Sequence, residues 1–184
     1  MTALLRPATR GDLASIAAIE KECFTDPWSE ESFRRLLGGQ LTTISKLVPE
    51  SSMSMFQVRP AIFLVAESPS DSSIAGYVVA FSVDEDGEIL NVAVESRSRG
   101  KGLAGQMLDA TLIEMAARGV RTAFLEVREL NVAARGLYGS RGFIEIGRRR
   151  AYYRRPVEDA LVMRRVLRVA DGEEERSASG FADR

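Results

Sequence analysis

A strand, a glycine-rich turn and a helix follow one another between residues 91 and 115, and they form the strongest local signal for chemistry in the sequence. Free backbone amides at the start of a helix, next to the positive end of its dipole, suit a pyrophosphate group. Glycines allow a ligand to approach the backbone closely, and basic side chains add positive charge. The residues concerned are Arg99, Gly100, Lys101, Gly102, Leu103, Ala104 and Gly105. From the glycine spacing alone, a plain connection with solvated basic residues is an equally good interpretation, and the spacing fits neither a Walker loop nor GxGxxG.

The chain contains no histidine and a single cysteine, Cys23. The lack of an imidazole excludes Ser-His-Asp and Cys-His catalysis and an HExxH zinc site, and we expect no metal. Cys23 lies in an apolar helical pattern, so we interpret it as a buried structural thiol in a reducing compartment. Catalysis must therefore use carboxylates, tyrosine, lysine or backbone groups.

Glu126 and Tyr138 are candidate functional side chains, because the surrounding apolar patterns do not by themselves require a carboxylate or a hydroxyl at these positions. Glu126 ends an apolar strand, where a carboxylate gains nothing from packing; a rim glutamate paired with Arg128 is the alternative. Tyr138 lies about two turns beyond Asn131 on one helix, and a core tyrosine with a satisfied hydroxyl is the alternative there.

Composition predicts one globular domain. The chain has 184 residues, 45% of them hydrophobic, and 25 basic against 26 acidic side chains, which indicates neither nucleic acid nor membrane as a partner. No apolar run approaches the roughly 20 residues of a membrane span, and the start has no signal-peptide core, so we expect a cytoplasmic protein. The domain is predicted over residues 1–168 with an insertion at 39–60, followed by a disordered acidic tail at 169–184.

The hydrophobic periods predict an α/β order of elements. Antiparallel strands at 61–67, 74–83 and 88–94 precede the glycine-rich helix. Further strands are expected near residues 4–5 and at 122–127, 143–147 and 160–166. Helices are expected at 13–24, after Ser29, and from Asn131 to Arg141.

These motifs together resemble the GNAT superfamily of N-acetyltransferases and, within it, the bacterial RimI-like ribosomal-protein-alanine N-acetyltransferases. Arg99-x-x-Gly102-x-Ala104 after a strand matches the acyl-CoA pyrophosphate motif. The resemblance spans about residues 4–165. It is also carried by Ile19-Glu20 to Phe24, Pro27-Trp28-Ser29 with Phe33, Asn91-Val92-Ala93-Val94, Leu125-Glu126-Val127-Arg128 with Asn131, Leu137-Tyr138 with Gly142-Phe143, and Tyr152-Tyr153-x-x-Pro156 with Glu158-Asp159-Ala160. It implies the GNAT fold: a mixed, mostly antiparallel central sheet flanked by helices and splayed near Val94 and Glu126.

The resemblance also implies a reaction, the direct transfer of acetyl from acetyl-CoA to the α-amine of a protein N-terminus. An α-ammonium with a pKa of about 7.7–8.0 needs a base, and Glu126 takes that role by resemblance. Tyr138 would protonate the departing CoA thiolate. Asn131 and the backbone of Val92, Ala93 and Val94 would contact the coenzyme.

The expected acceptor is a ribosomal protein N-terminus, in a channel shaped by Pro27, Trp28, the Arg148 end of a basic run, Tyr152 and Tyr153. Two other functions remain open from the residues. One is acetylation of a lysine side chain or small amine. The other is a non-catalytic acyl-CoA-sensing or RNA-contacting module, which would need neither an acid nor a base.

Overall fold

The computed structural model describes residues 3–39, 61–68 and 70–167. The predicted insertion, apart from Gly39, and the predicted tail lie outside the described residues. The strands are β1 (Leu4–Pro7), β2 (Ile62–Glu67), β3 (Ile74–Val83), β4 (Asp86–Val94), β5 (Thr122–Arg128), β6 (Ile144–Arg154) and β7 (Val157–Val166). The helices are α1 (Leu13–Cys23), α2 (Glu30–Leu37), α3 (Leu103–Ala117) and α4 (Val132–Gly139).

The strands form one seven-stranded sheet in the order β1-β2-β3-β4-β5-β7-β6. Every neighbouring pair is antiparallel except β4 and β5, which are parallel because α3 crosses between them. The fold class predicted from the sequence is confirmed.

Helices cover the two faces of the sheet unequally. On one face, α3 and the packed side of α4 bury a core that includes Met107, Leu108 and Leu161. On the other face, α1 and α2 cover β2, β3 and β4 around Phe33 and Tyr77. The second face of β5, β7 and β6 lies outside this core, and it carries Glu126, Arg128 and Arg149 beside apolar residues such as Val162.

A β-bulge in β4 lies at the point where the pairing of β4 with β5 ends. Asn91 is opposite Val79 and Ile89 is opposite Ala80, so Leu90 is an extra residue in β4. The parallel pairing of β4 with β5 stops at Ile89 and Leu125. Beyond this point the strands separate, which confirms the predicted splay and leaves a V-shaped gap between residues 90–94 and 126–128.

The largest errors of the sequence prediction lie in the last two strands and the helix before them. β6 runs to Arg154 rather than ending at residue 147, and β7 begins at Val157 rather than at residue 160. β6 is an exposed edge strand whose stability comes from pairing with β7, so its own sequence carries no alternating apolar pattern. Helix α4 ends at Gly139 rather than at Arg141, and α1 ends at Cys23, one residue earlier than expected.

Two glycine substitutions should have opposite effects on stability. A Cβ atom at Gly76 in β3 would lie 2.7 Å from the Ala93 carbonyl oxygen and 3.0 Å from Met107 Cε. We expect Gly76→Ala to lower the free energy of unfolding by about 1–3 kcal/mol, because backbone cannot move aside. A Cβ atom at Gly136 in α4 would meet open space. We therefore expect Gly136→Ala to raise the free energy of unfolding by about 0.5–1 kcal/mol. Urea unfolding checks both, and equal effects would contradict this packing.

Candidate active site

The gap between β4 and β5 exposes backbone groups on the β4 side. Glu95 N donates to Ala75 O at 3.0 Å, and Ala93 is opposite Tyr77, so these residues direct their backbone groups to β3. Backbone direction alternates along a strand, and Val92 and Val94 therefore face the gap. Of the three predicted coenzyme contacts on β4, two are placed to pair with an extended ligand and Ala93 is turned away.

The turn into α3 presents a row of amides at the open end of the gap. Gly100 and Gly102 have φ of +74° and +77°, the left-handed conformation that favours glycine. The first helical bond runs from Gln106 N to Gly102 O at 3.1 Å. Within the described parts of the chain, no acceptor is found for the backbone amides of residues 100–105. These amides, including those of Lys101, Leu103, Ala104 and Gly105, suit a phosphate group.

Arg99 braces this turn. Its Nε donates to Val94 O at 3.0 Å, and Nη2 donates to Cys23 Sγ at 3.3 Å. The guanidinium also lies 3.8 Å from Glu22. Cys23 is half-buried and not fully buried as expected, and this partial burial raises the pKa of its thiol. Arg99 thus joins the end of α1 to the end of β4 and contributes positive charge beside the turn.

Glu126 lies on β5 just where the gap opens. Arg149 Nε is 2.8 Å from Glu126 Oε1. Burial and this nearby carboxylate raise the pKa of Tyr152. Arg128, the partner considered from the sequence, instead forms an ion pair with Glu158 at 2.9 Å. Glu126 is therefore a site carboxylate whose partners come from β6.

Tyr138 lies on α4, on the opposite side of the sheet from Arg149. It is 8% exposed, and its ring packs edge-on against Phe143 with centroids 6.0 Å apart. Burial raises the pKa of Tyr138 to about 12, and the Tyr153 hydroxyl acts on it electrostatically. The hydroxyl thus keeps its proton at neutral pH.

Arg128 connects the elements on the acceptor side of the gap. It lies 4.0 Å above the Tyr153 ring and donates to Arg155 O and to Thr25 Oγ1, each at 3.1 Å. Thr25 Oγ1 in turn donates to Arg155 O at 2.5 Å. The loop between α1 and α2 is therefore fastened to the β6–β7 turn.

A buried carboxylate holds the same loop from below. Glu20 is 1% exposed and accepts hydrogen bonds from Trp28 N at 2.9 Å, from the Tyr77 hydroxyl and from Asn91 Nδ2 at 3.3 Å. Burial raises the pKa of Glu20, and these donors oppose the increase. Trp28 packs beside Phe33 with ring centroids 5.6 Å apart, whereas Pro27 is exposed.

The structure separates the two arginines at the start of the basic run. Arg148 is opposite Leu161, whose side chain faces α3, and it pairs with Glu129 at 2.7 Å. Arg149, on the other face, lies beside Glu126, so Arg149 and not Arg148 faces the acceptor side of the gap, where Arg148 was expected to help shape the channel. A single-residue step along a strand reverses the face, so only the register decided between them.

Asn131 caps α4 through its side-chain oxygen, which accepts from Ala134 N at 3.0 Å. Its amide nitrogen remains as the group that can meet a coenzyme. Glu88, which no sequence motif indicated, lies near Glu126 on the same face of the sheet. Burial and the nearby Glu126 carboxylate raise the pKa of Glu88 to about 7, an effect that no local pattern indicates.

Comparison with known proteins decides the family. The model of the acetyltransferase (GNAT) family matches residues 13–143. This chain belongs to the GNAT acetyltransferase family. A ribosomal protein bS18-alanine N-acetyltransferase of Haemophilus ducreyi is 30% identical to this acetyltransferase over 137 residues, 73% of this chain and 93% of the relative.

Solved structures agree with this assignment. The crystal structure of the ribosomal-protein-S18-alanine N-acetyltransferase from Escherichia coli has a TM-score of 0.73 and 25% identity, and covers 96% of this acetyltransferase and 99% of that chain. A phosphinothricin acetyltransferase of the GNAT superfamily from Sinorhizobium meliloti, in complex with AcCoA, has a TM-score of 0.70 and 20% identity. It covers 98% of this chain and 95% of that one, and it shows the shared fold.

The described helices of this acetyltransferase include none that is long and apolar enough to cross a membrane. The cytoplasmic location expected from the sequence stays a prediction.

The amide row predicts where acetyl-CoA binds. Gly102→Glu should weaken binding at least tenfold, because it places a side chain and a negative charge at the phosphate position. Gly119→Glu is the matched control: φ is +83° there, a new Cβ meets open space, and the residue lies at the other end of α3. Calorimetry should show weakened binding for Gly102→Glu alone; unchanged affinity would place the pyrophosphate elsewhere.

The raised pKa of Glu88 should make the free energy of unfolding depend on pH. Its pKa is raised from 4.5 to about 7 in the fold, so its contribution is complete below about pH 4.5 and is lost as pH rises through 7. Glu88→Gln keeps the shape without the charge. Between pH 4.5 and 8 the wild type should therefore lose about 2–3 kcal/mol of unfolding free energy relative to the variant. Urea unfolding against pH checks this; a constant difference would contradict the raised pKa.

Proposed function

We propose that this acetyltransferase transfers the acetyl group of acetyl-CoA to the α-amine of a protein N-terminus, and that the natural acceptor is the N-terminal alanine of a small-subunit ribosomal protein. The observation that carries the proposal is the gap itself. Glu126 lies on its acceptor side and Tyr138 approaches from α4, so a thioester in the gap has a base and an acid on different sides. The names of the relatives support the acceptor class, and this acceptor fits a cytoplasmic location.

The coenzyme is proposed to run along the β4 side of the gap. The amides of residues 100–105 hold its pyrophosphate, and Val92 and Val94 pair with the pantetheine arm as a neighbouring strand would. A backbone N–H from β4 then polarises the thioester carbonyl, as in an oxyanion hole. Asn131 contributes its amide nitrogen near the start of α4.

The acceptor amine enters from the face that carries Glu126. Its ammonium loses one proton to the carboxylate, the nitrogen lone pair attacks the thioester carbon, and the C–S bond breaks in a ternary complex without a covalent enzyme intermediate. The nitrogen releases its second proton to solvent as the amide forms, and this release balances the proton that the thiolate takes up. Tyr138 supplies the proton to the departing thiolate. Burial that raises the pKa of this tyrosine also raises that of a thiol bound beside it, so proton transfer between the two stays feasible.

The closed acceptor side favours a chain end over an internal lysine. Arg128 and Thr25 fasten the α1–α2 loop to the β6–β7 turn, so the entrance is bounded by both instead of forming an open groove. A peptide N-terminus can enter such an opening end-on. A lysine within a chain needs room for backbone on both sides, and the fastened loop and turn restrict that room.

Two substitutions test the acid and the base. Tyr138→Phe should lower turnover by about 10²–10⁴ at every pH, because a missing acid becomes no more available. The defect of Glu126→Gln should shrink as pH rises above about 8, where the acceptor amine is already neutral. Mass spectrometry of an Ala-terminal peptide incubated with acetyl-CoA measures both, with an internal-lysine peptide in parallel.

Glu129→Gln is the matched control, since Glu129 also pairs with a β6 arginine at 2.7 Å but does so on the other face of the sheet. It should leave turnover unchanged. Wild-type turnover in both Tyr138→Phe and Glu126→Gln would overturn their roles. Preference for the lysine peptide would overturn the acceptor class.

A further inference from the structure

Arg141, in the turn between α4 and β6, joins that turn to helix α3. Its Nε and Nη2 atoms donate to the two carboxylate oxygens of Asp109 at 2.7 Å and 3.1 Å, which makes a bidentate pair. Its Nη1 atom donates to Leu137 O at 3.4 Å and to Ser140 Oγ at 3.2 Å at the end of α4. Among the residues that the structure describes, no other side-chain hydrogen bond or ion pair joins α3 to α4 or to this turn.

Gly105 makes room for this guanidinium. A Cβ atom at Gly105 would clash with Arg141 Nη2 and lie 3.0 Å from Arg141 Cζ, so the guanidinium lies directly against the backbone of α3. Gly105 and Asp109 are one turn apart on the same side of that helix, and the guanidinium contacts both. A glycine inside a helix is less favourable than an alanine, so the close approach of Arg141 is the physical reason for a glycine here.

The same turn fixes the end of α4 that carries Tyr138. The Tyr138 carbonyl oxygen accepts from Arg141 N at 3.0 Å and from Phe143 N at 3.2 Å, and the rings of Tyr138 and Phe143 pack edge-on. Helix α4 has only 8 residues, so its position depends on its contacts more than on its own stability. A shift of the Arg141 turn would therefore move the proposed acid with it.

The two helices serve different ends of the coenzyme in the proposed function. The amides at the start of α3 hold the pyrophosphate, and Tyr138 on α4 protonates the sulfur. The pantetheine arm between these groups has a fixed covalent length, so the sulfur reaches the hydroxyl only if α3 and α4 keep one separation. A proton donor must come within about 2.6–3.2 Å of its acceptor, and a misplacement of about 1 Å can lower a rate about 10²-fold.

We propose that Arg141, paired with Asp109 and lying against Gly105, is a positioning residue that holds the Tyr138 hydroxyl at the sulfur of the bound coenzyme. This proposal rests on the proposed function. Arg141 acts through the separation of α3 and α4; the proton itself moves from the Tyr138 oxygen to the thiolate, and an S–H bond forms as the O–H bond breaks. The other role open to a guanidinium beside the amide row, a direct contact with a coenzyme phosphate, predicts weaker binding of acetyl-CoA instead.

The test measures turnover of an Ala-terminal peptide at saturating acetyl-CoA and peptide, with Arg141→Ala introduced into the wild type and into Tyr138→Phe. We expect turnover to fall about tenfold in the wild type and no further in Tyr138→Phe, because the acid that Arg141 positions is absent there. Calorimetry should give an acetyl-CoA affinity within about twofold of the wild type. Arg141→Lys keeps the charge but cannot bond Asp109 through a planar fork, so it should be slow as well.

Gly105→Ala tests the same contact without removing a charge or a backbone amide. The new Cβ displaces the guanidinium, so turnover should fall, whereas the higher helix propensity of alanine should keep the melting temperature at or above that of the wild type. In Arg141→Ala the same substitution meets no guanidinium and should cause no further loss of turnover.

Arg118→Ala is the matched control. Arg118 pairs with Glu114 of α3 at 2.8 Å, and its side chain is 24% exposed against 23% for Arg141, but it lies at the far end of the helix. Its substitution should leave turnover unchanged. Equal losses from Arg141→Ala with and without the Tyr138 hydroxyl, no loss in the wild type, or weaker acetyl-CoA binding with unchanged turnover would each overturn the proposal. Failure of the wild type to acetylate the peptide would instead overturn the proposed function.

Discussion

The bulge at Leu90 is the constraint on which the candidate site depends. One extra residue in β4 ends its pairing with β5 at Ile89 and Leu125, and the two strands then separate. A parallel pair that continued would satisfy the backbone groups of Val92 and Val94 and place nothing between the strands. Separation leaves the Val92 backbone groups and the Val94 N–H without a strand partner in the described part of the chain, while Val94 O accepts from Arg99 Nε, and it opens the sheet to both faces. The coenzyme and the acceptor can then meet from different sides.

Ion pairs and hydrogen bonds of arginine side chains, and not a covering helix, hold the elements on the acceptor side of the site together. Because α1 and α2 cover only β2, β3 and β4, the second face of β5, β7 and β6 lies outside that core and exposes charged side chains among apolar ones. Arg128 and Arg149 organise this face: one fastens the α1–α2 loop to the β6–β7 turn, and the other holds Glu126. An arginine suits this task because its planar guanidinium donates in several directions while its face stacks on Tyr153.

Glu20 and Glu88 show how the surroundings of a buried glutamate decide whether its role is structural or chemical. Glu20 accepts from Trp28 N, the Tyr77 hydroxyl and Asn91, so its burial is compensated and it anchors a loop. Glu88 lies between phenylalanines beside another carboxylate, so its burial is not compensated and its pKa is raised to about 7. The first arrangement stabilises a conformation. The second provides a group that exchanges protons near neutral pH.

The sequence alone determined the order of elements, the glycine-rich turn before α3 and the positions of Glu126 and Tyr138, because hydrophobic periods, glycines and family motifs are local signals. Only the tertiary structure decided that Arg149 rather than Arg148 meets Glu126, and that β6 extends to Arg154. Strand register and edge pairing are set by contacts between distant segments, and a one-residue shift reverses the face. Glu88 carried no signal in the sequence for the same physical reason: its neighbours Phe81, Phe124 and Glu126 lie on other strands.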